Sequence, residues 1–171
     1  MTKTLVETPP MALLAEEHEA LRQEIDELTR AVDSYNFFRA LLGRDTPTQL
    51  CDRVASLRED LLTHFRHEEE GFFSFIRKAL RESGCDQVLL HGFFDSENRH
   101  DLVAHRILAE RTQEMISLLD ETSRGVLIRL KTRDRLLTIM RDVHHVFARH
   151  FTAEEEYIYP MGAEILGLTY L

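Results

Sequence analysis

The sequence predicts an all-α protein, an up-down-up-down antiparallel four-helix bundle, on three observations. Seven glycines and four prolines in 171 residues leave long uninterrupted segments. Within them apolar residues recur in alternate steps of four and three, the spacing of a helix packed on its neighbours. Runs of alternating β-branched residues, which would mark strands, are missing.

The punctuation divides the chain into four rods. Pro9 and Pro10 precede the first, which runs toward Gly43. In "GRDTPTQ", Thr46 is a candidate N-cap and Pro47 stands at the first helical position of the second, which runs to about Ser83. "SGCD" then leads into a third over about residues 86–122, with a candidate kink at Gly92, and "ETSRG" into a fourth that ends at Pro160. Rods of roughly 30 residues span about 45 Å each, and short links between them favour antiparallel neighbours. The expected domains are a tail over 1–10, the bundle over 11–160 and an apolar tail over 161–171. That second tail either caps the bundle or meets a partner, a homodimer being the simplest case.

Each rod has a stripe expected to face inward. The first reads Leu14, His18, Leu21, Ile25, Leu28, Val32, Tyr35; the second Leu50, Val54, Leu57, Leu61, His64, Glu68, Gly71, Phe75; the fourth Leu136, Met140, Val143, Phe147, His150, Glu154, Tyr157. In the third the apolar residues drift. Alignment on Val103 and Ile107 selects His100, and His105, five residues on, then points away. The stripes are apolar except at histidine and glutamate. A buried carboxylate without a partner is costly and a buried imidazole needs both nitrogens satisfied, so the core must hold something that repays them.

In the predicted topology His18, His64, Glu68, His100, His150 and Glu154 fall in one layer. They also repeat: "HFRHEEEGFF" (64–73) and "HFTAEEEYIY" (150–159) share HF..EEE, and His18 to His64 spans 46 residues against 50 from His100 to His150. Two similar helix pairs, each with two histidines and a carboxylate, imply a pseudo-twofold site for two metals. Imidazoles suit iron, zinc or manganese, a carboxylate can bridge two ions, and a histidine and glutamate four residues apart lie one above the other on a helix. The remaining histidines, His67, His91, His105, His144 and His145, are read as solvated, with His67 and His145 as candidates to orient a ligand. Glu69, Glu70, Glu155 and Glu156 form a solvated face, with Glu155 the first exception. The phenylalanines of 65–75 read as core or as a dry wall beside the metals.

A lone histidine in the first helix, His64-x-x-x-Glu68, a lone His100, and His150-x-x-x-Glu154 followed by Tyr159-Pro160 resemble the hemerythrin-like (HHE cation-binding) family over about residues 11–160. The resemblance implies a left-handed four-helix bundle around a non-haem di-iron centre, two iron ions joined by carboxylates and an oxo or hydroxo group. It implies binding or sensing of oxygen, nitric oxide or iron, or modest oxidase or peroxide-directed activity. The oxygen carriers have a second histidine four residues after the first on helix three, where this chain has Ala104, which argues against reversible oxygen transport. Glu97 could fill in, and Glu155 matches a carboxylate that the carriers place five residues after a histidine.

Composition removes other classes. A net charge of −9 disfavours nucleic acid, and no stretch approaches a membrane span or a signal peptide. Two cysteines, Cys51 and Cys85, suggest reduced thiols in the cytoplasm. Three functions stay open: a di-iron module that binds or senses a small diatomic ligand or metal ions, a di-iron oxidoreductase acting on oxygen or peroxide, and a bundle holding structural zinc.

Overall fold

The computed structural model describes residues 11–34, 47–82, 88–123 and 130–167, with some side chains inside those spans left aside. The first part of the expected C-terminal tail, 161–166, is helical and belongs to the last helix, whereas Tyr35, Thr46, Cys85, residues 1–10 and 168–171, and the side chains of His91 and Glu97 lie outside the described residues. Within them the protein is helical and holds no strand: α1 Met11–Ser34, α2 Pro47–Arg66, α3 Phe73–Glu82, α4 Val88–Ser123, α5 Leu130–Ala153 and α6 Tyr159–Leu166. Two π-helical turns, His67–Phe72 and Glu154–Ile158, join α2 to α3 and α5 to α6. Helix α2 begins at Pro47, where a missing N–H costs nothing.

Packing runs α1 on α2, α2 on α4, α4 on α5, and α5 back on α1, so the four long rods enclose a shared interior. The stripes of α1, α2 and α5 are buried as their spacing predicts, from Leu14 to Val32, Leu50 to Glu68 and Leu136 to Glu154. Most of the core is one cluster that includes Leu21, Leu57, Leu61, Phe65, Met115, Val143 and Phe151. A second, formed by Leu14, Phe72, Phe73, Ile76, Leu80, Ile158 and Tyr159, closes the end of the bundle where α3 meets α6. Each fully buried aliphatic or phenylalanine side chain contributes roughly 1.5–3 kcal/mol, which lets the fold carry a costly polar layer between the two clusters.

Several expectations are corrected. On α4 the buried residues among those described are Asp101, His105, Leu108, Thr112, Met115, Leu119 and Thr122, again in steps of four and three, whereas Val103 is 46% exposed. His100 therefore lies on the exposed face and His105 on the buried one, the reverse of the alignment on Val103 and Ile107. The π-turns shift the register by one residue, since Phe73 N–H bonds Glu68 O and Tyr159 N–H bonds Glu154 O, five residues back. Past Glu68 the buried positions become Phe72 and Ile76 in place of Gly71 and Phe75. Past Glu154 they become Ile158 and Tyr159, and Tyr157 is 62% exposed. The fourth rod does not stop at Pro160, which falls at the start of α6; that helix ends at Gly167, whose φ of 66° is the left-handed cap. Among the described residues no helix is long and apolar enough to cross a membrane.

Candidate metal centre

Two sets of four donors come together in the buried layer: His18, His64, Glu68 and Glu154, and Glu68, His105, His150 and Glu154. Within each set the ligand atoms lie within 4.8 Å of one another. Of the six residues expected from the sequence, five are brought together; His100 is not, and His105 fills its role. His105 to His150 spans 45 residues, closer to the 46 from His18 to His64 than His100 came.

Each glutamate divides its oxygens between the sets. Glu68 Oε1 lies 3.2 Å from His64 Nε2, and its Oε2 lies 3.2 Å from His105 Nε2. Glu154 Oε2 lies 3.4 Å from His18 Nε2, and its Oε1 lies 3.4 Å from His150 Nε2. The i, i+4 spacing aligns each histidine with its own glutamate, and the π-turn begins where that pair ends, as π-turns often do at functional sites.

The histidines are oriented from outside. The Nδ1 atoms of His18, His64 and His105 lie 2.8 Å from oxygens of Glu155, Glu17 and Glu69. The His150 Nδ1 faces Asp101 Oδ1 at 3.6 Å. A carboxylate only accepts, so these contacts place the proton on Nδ1 and leave the Nε2 lone pair pointing inward. The two inward Nε2 atoms of His18 and His64 then meet at 3.1 Å, as do those of His105 and His150. Lone pairs at that separation repel unless a proton or a metal cation lies between them. Phe151 stacks on His18 at 3.5 Å and Phe65 on His105 at 3.9 Å, an aromatic from each half covering a histidine of the other.

The electrostatics point the same way. Glu68 and Glu154 are fully buried, and Glu68 Oε2 and both Glu154 oxygens have no hydrogen-bond partner among the described residues. Burial, then the neighbouring Glu68 and Asp101, pushes the Glu154 carboxyl well above the usual range. Burial also opposes charge on Glu68, but His105, His18 and His64 outweigh it and hold its carboxyl well below. Burial lowers the His64 imidazole, yet Glu68 and Glu17 outweigh it; at His150, burial prevails over Asp101. Two facing carboxylates pushed apart in this way lack the positive charge that would let both ionise.

Sequence reasoning passed over Glu17 and the orienting role of Glu69, because both are half-exposed and only their carboxylate tips reach in. The repeat carried a signal: Glu69 and Glu155 hold the same place in the two HF..EEE segments, and each bonds the histidine of the other half. His67 does play a part, its Nδ1 lying 2.7 Å from Glu17. Tyr159 was read only as part of the Tyr-Pro ending; its hydroxyl donates to Glu68 Oε1 at 2.5 Å and lies 3.0 Å from His18 Nε2. With His105 inward, the histidine-to-histidine spacing of the oxygen carriers falls on Asp101 and His105 rather than on His100 and Ala104.

Residues 10–91 match the family model of the hemerythrin HHE cation-binding domain. The match bears out the resemblance over His18, His64 and Glu68 and ends before His105, His150 and Glu154. No curated protein and no solved structure matches the chain.

Proposed function

We propose that the whole chain, beyond the residues 10–91 that match the family model, is a hemerythrin-type up-down-up-down bundle. In this reading it holds two iron ions: His18 and His64 would hold one and His105 and His150 the other, with Glu68 and Glu154 as donors common to both sets. Its role is to bind or sense a small diatomic ligand, oxygen or nitric oxide, or iron itself. One observation carries the reading: four Nε2 lone pairs and four carboxylate oxygens converge in a buried layer, with three of those oxygens unpartnered. Imidazole and carboxylate donors in this ratio suit iron, with zinc or manganese as alternatives.

When bound, the metal pair supplies redox electrons and a coordination position for a ligand. The protein supplies the rest. Glu17, Glu69 and Glu155 fix the tautomer and direction of three imidazoles, Arg22 holding Glu155 in turn at 2.6 Å. Phe65 and Phe151 keep water from the rings they cover. The test is metal analysis and an absorption spectrum under oxygen: two irons per chain with an oxo-bridge band support the reading. Zinc alone would sink it, as would full metal content in His64→Ala.

A second reading, an oxidoreductase acting on oxygen or peroxide, rests on Tyr159, whose hydroxyl holds a proton beside His18 and Glu68. Burial, then the charges of Glu68 and Glu154, keeps that phenol well above its ordinary pKa, so it stays a donor. Oxygen consumption beyond stoichiometry decides between the two.

A further inference from the structure

The two halves of the centre match closely until the outer side of each second histidine, His64 and His150. His18 pairs with Glu155 as His105 pairs with Glu69, and Phe151 covers His18 as Phe65 covers His105. His64, however, is closed by Glu17, which bonds both it and His67. The positions equivalent to Glu17 and His67, one before His105 and three after His150, are Ala104 and Ala153. Both alanines line a cleft of about 450 Å³ between α4 and α5, with the buried His150 and Asp101 at its floor and the exposed His145 and Arg149 at its rim. Two other surface clefts, one beside His67 and Glu70 and one beside Asp26 and His144, touch none of the six donors.

The floor has an unmet requirement. Asp101 is buried, and its Oδ2 has no hydrogen-bond partner among the described residues. An acceptor in that state costs free energy unless a donor reaches it. The rim adds cationic character in a chain of net charge −9.

We propose that this cleft is the ligand entrance and binding site of the centre. Small molecules then reach the His105 and His150 side and not the His18 and His64 side. The class that fits is a small protic molecule with a coordinating lone pair, its hydrogen donated to Asp101 Oδ2. The inference rests on the metal-binding reading above. It adds a direction of approach and a hydrogen-bond acceptor that follow from two alanines standing where the other half has a glutamate–histidine pair.

The test uses zinc-loaded protein, which is redox-silent, and reads the infrared stretch of azide as it binds. Azide has no hydrogen to give; hydroxylamine, measured by its displacement of azide, has. Ala104→Glu with Ala153→His fills the cleft, and azide entry slows roughly tenfold or more because it must wait for side chains to move. Ala104→Leu gives the same reading should the double variant fail to hold metal. Asp101→Ala, which also removes the contact to His150, weakens hydroxylamine several-fold more than it weakens azide. Unaltered azide entry in metal-replete filled variants overturns the inference, and so does metal-replete wild type that takes up no azide. Absence of metal from the wild type overturns the metal-binding reading and this one with it.

Discussion

Glu154→Gln is expected to move the stability of the metal-free and metal-loaded protein in opposite directions. In the metal-free protein Glu154 is buried, both its oxygens lack a hydrogen-bond partner among the described residues, and Glu68 faces it. An unmet buried acceptor costs about 1–3 kcal/mol, and a carboxyl raised well above its ordinary value must take up a proton on folding at neutral pH, a cost that the amide of glutamine, neutral in both states, removes at nearly equal volume. A gain of about 1 kcal/mol raises Tm by roughly 2–4 °C in a domain of this size, so the metal-free variant should melt at least that much higher. The loaded protein loses one donor to each ion. At a metal concentration a thousandfold above Kd, linkage contributes about 4 kcal/mol, and most of this disappears if affinity collapses. Differential scanning calorimetry with chelator and with excess ferrous iron reads both arms. A metal-free variant less stable than wild type refutes the assignment of Glu154 as a carboxyl that burial destabilises. An unchanged loaded midpoint refutes its role as a donor.

Other substitutions separate the parts of the structure. His105→Ala should lower metal content per chain while His100→Ala leaves it at the wild-type level, measured by elemental analysis; the reverse result would restore the alignment on Val103. Gly162→Ala should destabilise by about 1–3 kcal/mol without touching the metal site, because a Cβ there would lie 2.5 Å from Phe72 Cζ in a packed cluster; urea denaturation checks it. Glu114, held by Arg135 at 2.7 Å and Arg111 at 2.9 Å, keeps its carboxyl below the ordinary value of 4.5, burial being outweighed by the two guanidinium groups. A depressed carboxyl stabilises above its unfolded pKa and loses that contribution as pH falls. Glu114→Gln should therefore cost up to about 1 kcal/mol at neutral pH, with the deficit closing below 4.5 in parallel melts.

What could be read without coordinates was whatever follows a regular period through apolar residues. On α1, α2 and α5 the aliphatic positions are dense enough that His18, His64, Glu68, His150 and Glu154 stand out as exceptions on an otherwise apolar line. Helix α4 failed because its inward line from Asp101 onward is itself half polar: Asp101, His105, Thr112 and Thr122 share it with Leu108, Met115 and Leu119, while Leu102 and Val103 lie exposed. Thr112 satisfies itself by bonding Leu108 O, a local device that an apolar pattern does not register. The π-turns were illegible for another reason. A one-residue excess in the hydrogen-bond ladder leaves composition unchanged and shows only as a slip in which aromatic is buried, Tyr159 rather than Tyr157. The orienting carboxylates belong to flanks that a burial pattern assigns to solvent.

The reciprocal stacking of Phe65 on His105 and Phe151 on His18 has a consequence for how such a chain could have arisen. A fragment carrying only α1, α2 and α3 would own His18, His64 and Glu68, yet its phenylalanine would have no ring to cover and its first histidine no cover of its own. Two copies of that fragment, related by a twofold axis, would exchange those covers and rebuild both halves of the layer. The present chain thus has the internal logic of a dimer fused into one polypeptide. Fusion frees the two halves to diverge, and the sites where they have done so, Glu17 against Ala104, His67 against Ala153 and Tyr159 against Phe73, are differences that no symmetric dimer could express.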